Sequence, residues 1–215
     1  GRRPARQRRR QMNELERIRY EIEGPLATVL LNRPEKRNAI DDQTVDELGE
    51  AFATADADEQ VRVVLLKGAG KDFCAGADLS QLERIAADAD PITNLSHASA
   101  LGDLFILMRS IGKPIVAAVQ GSAFAGGAGL AMACDIVIAG ESARISYPEV
   151  RLGFVPAMVL AILRRAVGEK VAFELAALGD PITAQEAHQL GVINRVVPDE
   201  ELDIRAEAWA RELKL

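Results

Sequence analysis

The chain has 215 residues, of which 48% are hydrophobic and 27% are charged, a composition typical of one globular domain with a sizeable core. Each apolar run is interrupted by glycine, lysine or an acid before it reaches the roughly 18–20 residues of a membrane-spanning helix, which argues against such a helix. The two cysteines lie 60 residues apart and only two histidines accompany them, which argues against a zinc site and a disulfide framework. We therefore expect no metal and a reducing, cytoplasmic location.

The N-terminus differs in charge from the rest of the chain. Residues 1–10 carry six of the 26 basic residues and no acid, and the remaining 20 basic residues face 32 acids, a net charge of −12. Such a run is typical of nucleic-acid arms and transit peptides. It lacks the apolar residues of an amphipathic presequence, however, and Met12 precedes an ordinary amphipathic start. We predict that residues 1–11 are a basic extension that is disordered or not native to the mature protein, that residues 12–215 form the domain, and that neither nucleic acid nor membrane is a partner.

The pattern in the first part of the chain predicts two paired strands, a helix and a buried strand. Residues 16–23 and 26–31 flank a Gly-Pro turn and are predicted to pair. Asp41 is the predicted cap of a helix, because the apolar residues after it recur at helical spacing. A short buried strand is predicted at 61–67, where two glycines follow it.

Strands and helices continue to alternate in the second part. An apolar stripe at helical spacing ends before Gly112, and buried strands are predicted at 114–119 and 136–139 with a helix between them. After Pro156 the pattern is mostly helical, Thr183 is a predicted cap, and the last helix has one apolar face. The alternation predicts an α/β domain. The stripe consists of Leu101, Leu104, Phe105, Met108 and Ile111.

Two short segments share one pattern, FCAGADL at 73–79 and FAGGAGL at 124–130. Each follows a buried strand, passes through small residues and leads into a predicted helix. At such a junction the first backbone N–H groups have no intrahelical partner and lie at the positive end of the helix dipole. Two such ends facing each other would bind an anion, and each donor would contribute about 10²–10³ in rate if charge developed on a carbonyl oxygen. Small residues before a helix also serve close packing, so both interpretations stay open.

Five motifs carry a resemblance to a known family: LNRPEKRNAI (31–40), FCAGADL, KPIVAAVQG (113–121), the glycine segment ending in ACD, and YPEVRLGFVP (147–156). In this order and near these spacings they resemble the crotonase family, also called the enoyl-CoA hydratase/isomerase superfamily, from about Met12 to the C-terminus. The resemblance implies a spiral of ββα units with a trailing helical region. It also implies an acyl-CoA thioester as substrate, with coenzyme A as part of that substrate and no separate cofactor.

Members of that family usually continue through further helices that help to cover the coenzyme A site and to build a trimer. This chain stops at Leu215, so we expect its C-terminal helical region to be truncated. A homotrimer or hexamer is expected if those helices are present.

The resemblance also implies roles for individual residues. The N–H groups of Ala77 and Gly126 would form the oxyanion hole that receives the thioester carbonyl oxygen. Glu149 matches the family's catalytic glutamate, and apolar neighbours such as Phe154 and Val155 would raise its pKa toward neutrality. Without the other motifs, Glu149 would be interpreted as an exposed loop acid.

Contacts with coenzyme A carry over only in part. The loop at 33–38 matches the segment that meets the nucleotide end, so its basic side chains would pair with phosphate oxygens. Surface solubility is the alternative explanation of these charges. Backbone at 74–78 would meet the adenine and the pantetheine. The candidate contacts are Arg33, Lys36, Arg37, Cys74, Ala75 and Asp78.

One position departs from the family pattern. Typical enoyl-CoA hydratases use two glutamates, and Gly129 stands where the second one is expected. Δ3,Δ2-enoyl-CoA isomerases keep only the glutamate that matches Glu149. The sequence EVRLGFVPAM (149–158) is more similar to hydratases resembling bacterial 3-methylglutaconyl-CoA hydratase, some of which also have this glycine. We therefore favour a hydratase, with an isomerase and a non-catalytic acyl-CoA-binding protein as alternatives. Residues 88–96 are expected to help shape the acyl pocket.

Other known motifs do not match. GAGKDF (68–73) lacks the spacing of a P-loop, and GGAGLAM (126–132) lacks both the third glycine and the distant acid of a dinucleotide fingerprint. Ser122 is not in a GxSxG turn, and neither His97 nor His188 can be assigned as its base.

Overall fold

A computed structural model describes residues 10–11, 15–78 and 91–213, of which 10–11 and 91–98 are described by backbone alone. This part of the chain contains ten strands and seven α-helices. The strands are β1 (Arg10–Gln11), β2 (Ile18–Glu23), β3 (Leu26–Leu31), β4 (Val63–Gly68), β5 (Ile115–Val119), β6 (Ser122–Phe124), β7 (Ile136–Gly140), β8 (Arg144–Ser146), β9 (Ile182–Thr183) and β10 (Arg195–Val197). The helices are α1 (Asp42–Ala57), α2 (Pro91–Ser110), α3 (Gly126–Ala133), α4 (Ala157–Ala166), α5 (Glu169–Leu178), α6 (Ala184–Gln189) and α7 (Leu202–Glu212).

Most strands belong to one seven-stranded sheet with the order β1-β2-β3-β4-β5-β7-β10. The first three strands are antiparallel, and β3, β4, β5, β7 and β10 are parallel neighbours. Parallel strands joined through helices confirm the α/β class that the alternating pattern predicts.

Both faces of this sheet are covered, which explains why β4 and β5 are almost continuous apolar runs. One face belongs to the large core that includes residues of α1, α2 and α3. The other face packs against α7 through Leu202, Ala206 and Ala210. The apolar face predicted for the last helix is therefore covered by the sheet itself.

The two predicted helix caps are confirmed. Asp41 accepts a hydrogen bond from the Thr44 N–H at 2.8 Å, which satisfies one of the free donors at the start of α1. Thr183 and Glu186 form a reciprocal capping box at the start of α6. These local signals locate both helix starts in the structure.

The N-terminal strand β2 begins two residues later than predicted. The N–H groups of Glu16, Arg17 and Ile18 donate to the carboxylate of Glu47, so the chain is held by a side chain before it enters the sheet. Arg10–Gln11, the end of the predicted disordered extension, pair with β2 as the short strand β1. Residues 1–9 and 12–14 lie outside the described residues.

A second, three-stranded sheet has the order β6-β8-β9. It brings together the two sequence motifs that follow β6 and β8, residues 124–130 and 147–156. Strands β6 and β8 are parallel, with Phe124 opposite Ser146, and β8 and β9 are antiparallel. These strands have two or three residues each and were not predicted, because such short segments carry no periodic pattern. Within the described residues, the helices are too short or too polar to cross a membrane.

Candidate functional site

The bridge between Ile40 and Ala77 sets the direction of the first candidate donor. Ile40 donates its N–H to the Gly76 carbonyl at 2.8 Å and accepts the N–H of Asp78 at 2.9 Å. In a parallel bridge of this kind, the flanking peptide groups bond the partner and those of the central residue point away from it. The Ala77 N–H donates no hydrogen bond within the described part of the chain, so it is available to a ligand.

Gly126, the first residue of α3, carries the second candidate donor. Its N–H has no intrahelical partner and lies at the positive end of the helix dipole. Among residues 15–78 and 91–213 it has no backbone acceptor. A Cβ on Gly76 would lie 3.6 Å from the Gly126 nitrogen and 2.8 Å from the Phe124 carbonyl oxygen. The residue before Ala77 therefore contacts the start of α3, and the structure brings the two predicted donors together.

Ala125 forms a strained turn immediately before this donor. Its φ of 50° and ψ of −123° lie in a region that non-glycine residues rarely occupy and that costs about 1–3 kcal/mol. The conformation is held from both sides, because the Ala125 N–H donates to the Ser146 carbonyl and the Ala125 carbonyl accepts the N–H of Gly129. These two hydrogen bonds hold Ala125, and with it the peptide that leads into Gly126, in this conformation.

Two of the glycines here serve close packing. A Cβ on Gly127 would lie 2.3 Å from the Cys74 carbonyl oxygen, and one on Gly121 would lie 2.2 Å from the Lys71 carbonyl oxygen. Both distances are far below van der Waals contact. The packing explanation for the small residues is therefore correct at Gly127 and Gly121, while Gly126 carries the free N–H.

Cys74 holds the two segments together through its backbone. It donates its N–H to the Ser122 carbonyl at 3.0 Å and accepts the N–H of Phe124 at 3.0 Å. Its side chain is fully buried, and burial raises the pKa of the thiol to about 12. Both backbone groups of Cys74 are thus engaged internally, and its thiol has none of the thiolate character of a nucleophile.

Glu149 lies in the short 3-10 turn Pro148–Leu152, which follows β8. The turn is close to the donors in the fold, because Ser146, three residues before Glu149, accepts the hydrogen bond from Ala125. The Oε2 atom of Glu149 is buried without a hydrogen-bond partner among the described residues. Burial raises the pKa of this carboxyl above its ordinary value of 4.5.

Tyr147 is a second buried polar group in the same segment. It is 1% exposed, and its hydroxyl has no partner within the described ranges. Burial, and then the charge of Glu149, raise the pKa of this phenol. Two buried polar atoms that lack a partner among the described residues, on side chains two residues apart, are unusual in a native core. The sequence did not single out Tyr147, because tyrosine before a proline carries no functional signal.

The basic residues predicted to meet phosphate are held differently from one another. Arg33 is an ion-pair partner of Asp41 and Asp78, and its side chain is 12% exposed. Arg37 pairs with Asp72 and donates to the Ser122 hydroxyl. The roles predicted for all three basic residues and for Ala75 and Asp78 stay predictions.

Two further features separate these candidates. Lys36 is exposed, and its side chain has no partner within the described part of the chain. The Ala75 N–H donates to the Arg37 carbonyl, so it is not available to a ligand.

Asn38 and Asp72 are site-building residues that the sequence did not reveal. Asn38 is buried with φ 55°, and its side chain donates to the carbonyls of Ala69 and Asp72 and accepts the N–H of Arg33. Asp72 accepts from the Ser122 N–H and from Arg37. Burial would raise the pKa of Asp72, but these hydrogen bonds outweigh it and lower the pKa to about 2. Asparagine tolerates this left-handed backbone, which is the one signal that sequence offered.

Gly129, the position of the absent second acid, faces an aromatic ring. A Cβ there would lie 2.6 Å from Cζ and 3.0 Å from Cε2 of Phe105, and 3.1 Å from Cγ2 of Val159. No side chain fits at this position unless its neighbours move.

The other residues that the sequence raised as candidates for the site are His188, which makes a local contact, and residues that lie outside the described part of the chain. The Nδ1 atom of His188 contacts the Ile193 carbonyl at 3.0 Å, a local contact at the end of α6. Residues 88–90 and the side chains of 91–98, which include His97, lie outside the described residues. The described residues contain no group of three or more His, Cys, Asp or Glu that could hold a metal ion.

Comparisons with known proteins identify the family. The family model described as Enoyl-CoA hydratase/isomerase matches residues 21–214. A Thermus thermophilus protein whose name assigns it provisionally to the enoyl-CoA hydratases is 46% identical over 190 residues, which are 88% of this chain and 75% of that protein. The 1,2-epoxyphenylacetyl-CoA isomerase of Escherichia coli is 36% identical over 93% of this chain and 76% of its own length.

A solved structure has the same fold. The enoyl-CoA hydratase of Mycobacterium smegmatis superposes with a TM-score of 0.87 at 33% identity, over 92% of this chain and 76% of that one.

Proposed function

The chain belongs to the enoyl-CoA hydratase/isomerase family, and we propose that it is a hydratase that adds water to, or removes it from, the 2,3 position of an acyl-CoA thioester. One observation carries the proposal. Among the described residues, two backbone N–H groups have no acceptor and one carboxyl oxygen, Oε2 of Glu149, is buried without a partner, and the hydrogen bond from the Ala125 N–H to the Ser146 carbonyl joins the segments that carry them. This combination supports chemistry in which negative charge appears on a carbonyl oxygen while one proton is moved.

The two N–H groups form the proposed oxyanion hole. The thioester oxygen accepts hydrogen bonds from Ala77 and Gly126, and charge develops on it when a nucleophile adds at C3. Because the bridge at Ile40 and the turn at Ala125 fix both donors beforehand, no backbone reorganisation is needed when that charge appears.

Glu149 is the proposed carrier of the proton. As carboxylate it takes one proton from water while the water oxygen bonds to C3, and electrons move from the double bond to the thioester oxygen. As carboxylic acid it then returns a proton to C2, and the enolate collapses. One O–H bond and the π bond between C2 and C3 break, and one C–O and one C–H bond form, so a single carboxyl closes the cycle. A raised pKa suits this double role, because the group must both accept and donate near neutral pH.

Coenzyme A is the part of the substrate that the loop at 33–38 is proposed to bind, and it stays attached to the acyl group throughout the reaction. Lys36, exposed and unpaired within the described residues, is the proposed phosphate contact. Arg33 and Arg37 would add positive potential while holding the loop through their carboxylate partners. Backbone at 74–78 would meet adenine and pantetheine, as the resemblance implies. No separate cofactor is proposed.

Isomerisation is the second candidate, and Gly129 is the observation that favours it. Moving a double bond from C3 to C2 requires only that one carboxyl remove a proton from C2 and deliver one to C4. The relative named 1,2-epoxyphenylacetyl-CoA isomerase is consistent with non-hydratase chemistry on this fold. A cytoplasmic location, and a homotrimer or hexamer if the C-terminal helices are present, remain the accompanying predictions, and light scattering of the purified protein tests the assembly.

Turnover of three thioesters tests the proposal: crotonyl-CoA, 3-methylglutaconyl-CoA and a 3-enoyl-CoA, with the protein and with Glu149→Gln. Glutamine keeps the shape of the side chain but cannot carry a proton. We expect hydration to fall at least about 10²-fold in the variant. Glu200→Gln is the matched control, because Glu200 is exposed in another 3-10 turn and should leave turnover unchanged.

The preferred thioester separates the candidates. Faster conversion of the 3-enoyl-CoA than of either 2-enoyl-CoA would favour the isomerase. Binding of the thioesters without any turnover would contradict both activities and identify a non-catalytic acyl-CoA-binding protein.

A further inference from the structure

Phe105 occupies the space in front of Gly129. The ring is 2% exposed and lies in α2, and its Cζ atom would be 2.6 Å from a Cβ at position 129. Val159 of α4 closes the same space from another side at 3.1 Å. A ring held in a close-packed core cannot swing aside as the end of an exposed side chain can. Phe105 and any side chain at 129 therefore exclude each other.

The contact repeats one helical turn earlier, beside the candidate donor. A Cβ on Gly126 would lie 3.2 Å from Cδ2 of Leu101. Leu101 and Phe105 are four residues apart on α2, and Gly126 and Gly129 are three apart on α3, so each pair lies on one helix face. Three residues advance a helix by about 4.5 Å, roughly the length of three carbon–carbon bonds. The ring of Phe105 thus lies about one helical turn along α3 from the Gly126 donor.

We propose that Phe105 is a specificity-determining residue of this site: its ring fills the space that a side chain at position 129 would need, so a second carboxylate is excluded there and Glu149 is left as the single proton carrier. The inference rests on the proposed function. Its basis is steric, because removing the ring is what would make a glutamate at 129 possible.

A set of paired variants tests the steric part. Gly129→Glu alone should lower the melting temperature and the yield of folded protein, and Phe105→Ala alone should lower the melting temperature by about 10 °C through the cavity that it leaves. In Phe105→Ala/Gly129→Glu the new side chain occupies that cavity. The melting temperature of the double variant should therefore fall by clearly less than the sum of the two single losses. Phe52→Ala/Gly129→Glu is the matched control. Phe52 is also buried, but none of its atoms is among the three nearest to a Cβ on Gly129. The melting-temperature loss from Phe52→Ala should therefore add to the loss from Gly129→Glu.

Hydration of crotonyl-CoA tests the catalytic part. The double variant Phe105→Ala/Gly129→Glu should hydrate this thioester at least about tenfold faster than Phe105→Ala/Gly129→Gln, because only the glutamate supplies a second proton acceptor for water. The glutamine variant matches it in size, so a gain that appears in both would reflect space rather than charge.

Additive melting-temperature losses, or equal rates for the glutamate and glutamine variants, would overturn the inference. Failure of the proposed function gives a different result. In that case the unaltered protein converts none of the three thioesters, and the inference fails with it. If the unaltered protein is active and the paired variants show neither effect, the role of Phe105 alone is wrong.

Discussion

In the donor segments, residues 74–78 and 121–129, backbone approaches backbone so closely that a single methyl group on Gly127 would lie 2.3 Å from a carbonyl oxygen. In the carboxylate turn, Pro148–Leu152, the inner side is packed around the buried Oε2 of Glu149, but the end of the turn is open: a Cβ on the adjoining Gly153 would meet nothing within 4 Å. Large apolar side chains just after Glu149 also face outward, with Leu152 and Phe154 each 61% exposed.

The difference corresponds to the two tasks of the proposed site. Hydrogen-bond donors stabilise a developing charge only if they already point at it, so the donor segments are held by bridges and by a strained turn. A proton carrier must instead reach two atoms of the substrate and change its charge between them. Its surroundings therefore need to tune its pKa, and they need not hold it in one fixed position. The donor segments are thus the rigid part of the proposed site, and the carboxylate turn is the part whose ionisation is adjusted.

The largest effect should follow from breaking the donor segments at Gly127. Gly127→Ala places a Cβ against the carbonyl oxygen and the side chain of Cys74, so one of the two segments must shift. We expect a loss of more than about 3 kcal/mol in the free energy of unfolding, together with loss of turnover. Gly49→Ala is the control: Gly49 lies within α1 and its Cβ would meet nothing within 4 Å, so this change should stabilise by about 0.5–1 kcal/mol. Urea unfolding of both variants measures the contrast, and equal effects would contradict it.

A smaller loss is expected at Asp72, which fastens the donor segments without forming them. Asp72→Asn weakens the bonds from Arg37 and from the Ser122 N–H and should cost about 2 kcal/mol. Because the pKa of Asp72 is lowered from 3.8 to about 2, the contribution of the carboxylate is complete above pH 4 and is lost as the pH falls toward 2.

Denaturant unfolding between pH 2 and 6 measures that window. Asp203→Asn is the control, because the side chain of Asp203 is 71% exposed in its pair with Lys67, and its loss should stay below about 1 kcal/mol. A difference between the protein and Asp72→Asn that is the same at every pH would contradict the role assigned to the charge.

The sequence predicted the elements of the fold that leave a periodic or local pattern in the chain. Strand Leu26–Leu31 was predicted with its observed bounds, and the caps Asp41 and Thr183 are confirmed, because periodic burial and capping are local properties. Strands of two or three residues, such as β6 and β8, were missed because they are too short to show a period. They exist because the larger sheet holds their neighbours in position.

The site was only partly predictable for a related reason. The motifs pointed to Ala77, Gly126 and Glu149, but the local sequence gives no indication of what faces each residue across the fold. The 35-residue separation of Arg37 and Asp72, and the contact between Phe105 and Gly129, are long-range consequences of the packing. Close packing and the binding of a thioester both favour glycine, so composition alone does not separate Gly127 from Gly126.

The carboxylate turn can be separated from the donor segments by pH. Because burial raises the pKa of Glu149 above 4.5, the folded protein binds this proton more tightly than the unfolded chain. The stability that this carboxyl contributes is therefore complete below pH 4.5 and is lost as the pH rises through its folded pKa. Glu149→Gln does not titrate, so the variant should gain stability relative to the protein over that interval and stay level beyond it. A difference independent of pH would contradict a desolvated Glu149.

The smallest effect should come from relaxing the turn before the donor. Ala125→Gly removes the strain of a positive φ, worth about 1–3 kcal/mol, but adds flexibility that costs about 0.5–1 kcal/mol. The net gain in the free energy of unfolding should be about 1 kcal/mol, within a range of about 0–2.5 kcal/mol. If the strain only supports folding, turnover will not change. If it aims the Gly126 N–H, turnover should fall severalfold while stability rises, and we expect this second result. Unfolding and turnover measured on one preparation decide the point, because only a strained turn that serves catalysis moves the two quantities in opposite directions.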